Sequence, residues 1–197
     1  LALVPSRDAA AKAIVDAQAG TDQTATYTAI RHAFAHMRMI GDPVSIAIAG
    51  KLPTAFPGDA SAKAVDFRVA LNELLQEHLY LATFATGAAL GGRTDEFAAA
   101  GAALGANGTD IGDAVGSLYG TDAKDQFNSI WSAHNGFFVD YTTGVATNDD
   151  AKKSKAVSDL TMTYVPMFAK FLAGATGLPE DAPSSPTAGP VTTTKKV

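Results

Sequence analysis

Residues 74–101 read LLQEHLYLATFATGAALGGRTDEFAAAG. Leu74, Leu75, Leu81, Ala82 and Ala85, with Leu71 just upstream, recur on one face at helical spacing. Gly91-Gly92 stops that helix. Asp95 and Glu96 then open another, where acidic side chains complement the N-terminal helix dipole. Helix, glycine turn, helix is the unit that decides the fold class. One residue disturbs the pattern: His78 lies at the centre of the apolar face.

Working outward, the same unit recurs. A first helix is expected from Arg7 to Ala19, with Ser6 as N-cap and Gly20 as stop. A second begins near Asp22 and carries Ile30, Phe34, Met37, Ile40 and Val44 at helical spacing. Asp42-Pro43 should interrupt it, because proline lacks an N–H and disfavours helix at the residue before it. Residues 52–61, LPTAFPGDAS, form a connector. The third helix spans about 62–90 and the fourth runs from Asp95 to Leu118. The fifth is capped by Thr121 or Asp122 and ends near Asn148, and the sixth runs from Asp149 to the region of Gly174 and Gly177. No segment shows sustained strand alternation. The chain is therefore expected to be all-α: an up-down-up-down four-helix bundle over 59–178, an additional N-terminal helical hairpin over 1–58 that resembles half a bundle, and a Pro/Ser/Thr-rich tail over 179–197. IGDPVS at 40–45 and IGDAVG at 111–116 form a weak internal repeat.

Composition bounds the function. Apolar residues make up 47% and charged residues 18% of the 197, with a formal net charge of −5. That balance argues against recognising nucleic acid through its phosphates. The absence of cysteine excludes disulfides, thiolate metal sites and a cysteine nucleophile. No apolar run is long enough to cross a bilayer. The chain opens on Leu1 rather than Met, which reads as a processed or partial product, and the tail suits a location outside the cytoplasm.

On a 100° wheel, each of the four later helices carries one polar residue inside its apolar stripe. His78 is that residue on the third helix, and Asn107 lies within Leu104, Ile111, Val115 and Leu118 on the fourth. His134 is centred among Phe127, Ile130, Trp131, Phe137, Phe138 and Tyr141 on the fifth; Tyr164 lies among Val157, Leu160, Phe168 and Phe171 on the sixth. His78 and Asn107 are nearly equidistant from Gly92, as are His134 and Tyr164 from Asn148, so the four are expected at similar heights. Glu77 and Asp110 lie at the stripe edges nearby. A hydrogen-bonded polar layer that fixes helix register accounts for these residues. So does a ligand site. There His78 and His134 would bind a metal ion, copper before iron or zinc, with Glu77 and Asp110 as co-ligands or supports and Asn107 and Tyr164 completing the pocket. An organic ligand or haem is a further option. A ferritin-type di-iron centre is disfavoured, since no Glu-x-x-His occurs.

HAFAHM, residues 32–37, sets His32 and His36 four apart, a spacing that can bind metal. The glutamate of H-E-x-x-H is missing, and the wheel turns His32 to solvent and His36 to the edge, so both read as surface histidines. Gly101, Gly105, Gly108, Gly112 and Gly116 share one side of the fourth helix. Each costs about 1 kcal/mol relative to alanine, so close approach of the first hairpin or of a second subunit in a homo-oligomer is expected there. No nucleophile elbow, P-loop or dinucleotide fingerprint occurs, and no catalytic residue is assigned.

LLQEHLYLATFA, DIGDAVGSLYG, HNGFFVDYTTG and AFAHMRMIGD together resemble an actinobacterial family of exported helical-hairpin proteins, over roughly residues 9–178. E-H on one helix and H-x-x-F-F-V-D-Y-T on another recur in that family and fall on Glu77, His78 and His134. The resemblance implies helical hairpins and export. It implies no chemistry. The reading of the sequence is thus a non-catalytic exported helical protein that binds a metal or small ligand through core histidines. Its rivals are a structural or self-assembling interaction module whose polar layer sets register and, third, an oxidase or similar enzyme using the same site.

Overall fold

The computed structural model describes residues 3–180, with side chains from residue 6. The chain is all-α, with no strand among the described residues. Its helices are α1 (Leu3–Ala19), α2 (Gln23–Lys51), α3 (Lys63–Leu90), α4 (Thr94–Tyr119), α5 (Thr121–Ala146), α6 (Asp150–Ser158) and α7 (Val165–Thr176). A π-helical segment, Asp159–Tyr164, joins the last two, so they continue as one irregular helix. From residue 181 onward, the expected tail lies outside the described residues.

Local signals set most of these boundaries. Asp22 caps α2, its carboxylate accepting from the Ala25 N–H at 3.0 Å, and Asp149 caps α6 through the Lys152 N–H at 2.9 Å. α5 departs from expectation: Thr121 is already helical and Gly120 is the cap, at φ 88, a left-handed conformation that glycine adopts without strain. Ser6 likewise lies inside α1 and not at its start. The expected break at Pro43 does not occur, since α2 runs through it. Proline removes the donor for the Met39 carbonyl, but both residues face solvent, where water can replace the lost bond. Arg38 and Asp42, paired at 3.0 Å, brace the same turn.

The chain divides into two compact units, residues 1–114 and 115–197, with the division falling inside α4. The core of the first unit gathers Tyr27 from α2, Leu81 and Ala85 from α3, and Ala99, Ala100 and Ala103 from α4. Small alanines of α3 and α4 line this core, with Tyr27 packed among them. Its ring meets Phe84 edge-on at 6.2 Å, and its hydroxyl donates to Glu96 at 3.3 Å. α1 packs along α2.

The second unit is built on aromatics. Phe127, Ile130 and Trp131 of α5 are buried, as are Ala169 and Phe171 of α7. Phe127 stacks on Trp131 at 5.1 Å and meets Phe171 at 6.0 Å. α5 and α6 come together at Gly144, where a Cβ would lie 2.9 Å from the Lys153 side chain and 3.0 Å from its backbone nitrogen. Only glycine fits that crossing.

Several stripe residues are not buried. Met37, Val44, Leu75, Leu118, Phe138, Tyr141 and Val157 are all exposed. For Val157 the reason is visible: the π segment changes the helical period, and the neighbouring Ala156 is buried instead. Close packing along the glycine face is also absent at Gly101 and Gly105, where nothing lies within 4 Å of a built Cβ. At Gly116, by contrast, a built Cβ would lie 3.0 Å from the aliphatic chain of Lys124.

Candidate functional site

Asn107 is the centre of the polar cluster in the first unit. It is completely buried on α4. Its amide nitrogen donates to the Leu74 carbonyl at 2.9 Å and to the Glu77 carboxylate at 2.7 Å. Both partners only accept, which fixes the orientation of the amide. The Asn107 carbonyl oxygen therefore faces His78, 3.1 Å from Nδ1. Nδ1 must carry the proton and donate it, so in the neutral imidazole Nε2 carries the lone pair. Burial pushes the His78 pKa below its ordinary value; the Asn107 hydrogen bond and the Glu77 charge oppose that without cancelling it.

Arg31 supplies what the sequence reading missed. It reaches from α2 to Glu77 of α3, Nε to Oε1 at 3.1 Å, and to Asp110 of α4. Glu77 is only 5% exposed and Arg31 22%, whereas Asp110 is 49% exposed. Burial works against the Arg31 charge, and its hydrogen bonds to Asp110 and Glu77 more than restore it. A carboxylate this buried needs a cation or several donors, and Glu77 has both: the Arg31 guanidinium and the Asn107 amide. The signal was present in the sequence, since Arg31 lies one turn after Tyr27 and beside Ile30. Arg38, two turns further along α2, pairs with Asp42, with Asp66, and with Glu73 at 3.9 Å. A cavity of about 190 Å³ between these rows is lined by Arg31, Arg38, Glu73, Glu77 and Asp110.

The second unit answers its central histidine differently. His134 packs at a tilt against Tyr164, 4.4 Å between ring centroids, and against Trp131 at 5.1 Å, and Phe138 meets it edge-on at 4.9 Å. Tyr164 stacks in turn on Phe168 at 5.4 Å. Burial pushes the Tyr164 phenol up to about 12. The π segment ends at this tyrosine. Pro166 cannot donate to the Met162 carbonyl, and the Val165 N–H reaches back to Leu160, five residues away. The widened turn therefore lies beside the histidine contact.

Of the six candidates, His78, Asn107, Glu77 and Asp110 come together in one cluster with Arg31. His134 and Tyr164 meet in the other unit. Among the described residues, no three or more His, Cys, Asp or Glu side chains gather into a group that could hold a metal ion. No helix among them is long and apolar enough to cross a membrane. No protein-family model, curated protein or solved structure matches the chain.

Proposed function

We propose that this chain is a non-catalytic helical module, exported as its resemblance implies, whose buried polar cluster fixes the register of α2, α3 and α4. One observation carries this reading: the Arg31 guanidinium lies against both Glu77 and Asp110. It supplies the positive charge that a metal would otherwise supply to those carboxylates. A connected network of this kind accepts only one alignment of its three helices, because a slip of one residue leaves Glu77 buried without its cation. The open face at Gly101 and Gly105 is the surface on which such a module would meet a second copy or a partner.

A second reading is favoured by a different observation. Asn107 holds His78 with Nδ1 protonated, the arrangement in which metal-ligating histidines are commonly oriented by a neighbouring acceptor. Here His78 Nε2 binds copper, or another small ligand, and the cluster serves as its support. His134, packed at a tilt against Tyr164, is the corresponding candidate in the second unit.

Metal analysis of the native protein, repeated on His78→Phe, separates the two. A stoichiometric ion that disappears in the variant supports the second reading and removes the first. No ion that depends on His78, in the protein as isolated or after copper is added back, leaves the register reading. Sedimentation across a concentration range then tests the open glycine face.

A further inference from the structure

His32 is exposed and His36 partly buried, as the wheel places them, and the two share one side of α2. His32 and His36 both line a groove of about 670 Å³ between α1 and α2. They are one helical turn apart, so their Cβ atoms lie about 6 Å from each other on the same face. His36 is partly buried, and its Nε2 lies 3.2 Å from Ser6 Oγ, contributed by α1 across the groove. The remaining walls are mostly alanine, including Ala10, Ala13 and Ala29, with Asp22 as the one charged residue among them. No lysine or arginine lines the groove, and the chain as a whole is acidic, so a cation meets no local repulsion.

We propose that His32 and His36 form a two-imidazole chelate for a borderline divalent transition-metal ion, with Ser6 Oγ beside it as an oxygen ligand or as a partner for a coordinated water. Two neutral imidazoles at i, i+4 can close on one ion, and imidazole suits copper, nickel and zinc. Copper(II) binds most tightly of the three, following the order general to nitrogen and oxygen ligands. The site is independent of His78: it lies between α1 and α2 and shares no residue with the Arg31 cluster.

The chelate is tested by titrating copper(II) into the full chain and into His32→Gln, His36→Gln and His78→Phe. A chelate loses affinity as a unit, so either glutamine variant alone should weaken binding at least about tenfold while His78→Phe leaves this site unchanged. Electron paramagnetic resonance of the copper-loaded protein should show two equatorial imidazole nitrogens, reduced to one in either glutamine variant. Helix content by circular dichroism, equal in all four proteins, removes misfolding as a cause. Two results would overturn the proposal: one nitrogen in the wild-type spectrum, or single variants that bind copper as tightly as the wild type.

Discussion

His78 and His134 occupy equivalent places on their helices, each at the middle of an apolar stripe, yet their neighbours differ in kind. His78 belongs to a chain of donors and acceptors that runs from Arg31 through Glu77 and Asn107. His134 is packed by rings: Tyr164, Trp131 and Phe138. The difference shows how little a residue's position on a wheel says about its role. In the first unit the imidazole is one link in a network that must be complete. In the second it lies among tilted and edge-on aromatic rings.

The sharpest way to break this contrast is to remove the largest contributor on each side. Arg31→Met leaves Glu77 buried without its cation and should cost about 4 kcal/mol, the range for breaking a buried pair. Pairing it with Glu77→Leu should recover much of that loss, because no charge is then stranded. Trp131→Ala should cost a similar amount, about 4 kcal/mol, but through lost volume, with no partner replacement that restores it by charge. Urea unfolding of the single and paired variants measures both. If the double variant at Arg31 and Glu77 is no better than Arg31→Met alone, the cluster is not acting through charge.

Replacing each histidine by phenylalanine tests the comparison directly. His78→Phe strands the Asn107 carbonyl oxygen and should cost about 2 kcal/mol. His134→Phe keeps a ring against Tyr164 and Trp131 and should cost less than about 1 kcal/mol. Equal costs would mean that the two sites are chemically alike after all.

Acid sensitivity follows from the same asymmetry. The His78 pKa is lowered in the folded protein, chiefly by burial. The unfolded chain therefore takes up this proton first as pH falls. Its contribution to stability is complete above the ordinary value of 6.5 and is lost as pH falls from there through the lower folded value. His78→Phe should flatten that part of the stability profile. The alkaline limb has the opposite sign. Tyr164 is raised from 10.0 to about 12, so stability is complete below 10 and falls as pH rises towards 12. Tyr27 in the first unit, raised to about 12 by burial and then by Glu96, shares that limb. Denaturant midpoints from pH 5 to 7, compared between the wild type and His78→Phe, would read the acid limb that His78 contributes.

The helices themselves were legible because their signals are local: Asp22 and Asp149 as caps, Gly91-Gly92 as a stop, apolar residues at helical spacing. Pairing within hairpins was legible too. Equal distances from the turn placed His78 beside Asn107 and His134 beside Tyr164, and those contacts exist. Arg31 was not found, because an arginine beside an apolar stripe looks like a solvated edge until another helix supplies its carboxylates. The exposure of Phe138, Tyr141 and Val157 was missed for a related reason. A wheel assumes a constant 100° step, and contacts such as Gly144 with Lys153, or a π turn, decide locally which face is covered.

That π turn supports the smallest prediction, and it concerns geometry more than stability. Pro166 denies the Met162 carbonyl its usual donor, and the chain widens just upstream, ending at Tyr164. Pro166→Ala restores the donor and removes the ring that crowds the preceding turn. The segment should then tighten towards α-helix, with a net stability change within about 1 kcal/mol as the regained hydrogen bond offsets the added freedom of the unfolded chain. Tightening changes the number of residues per turn between Asp159 and Tyr164, so the tyrosine must rotate away from His134. Loss of the ring-current shift on the His134 protons, measured by NMR, would show that the π turn sets this contact. An unchanged shift would mean that the aromatic packing holds Tyr164 in place and the π turn merely accommodates it.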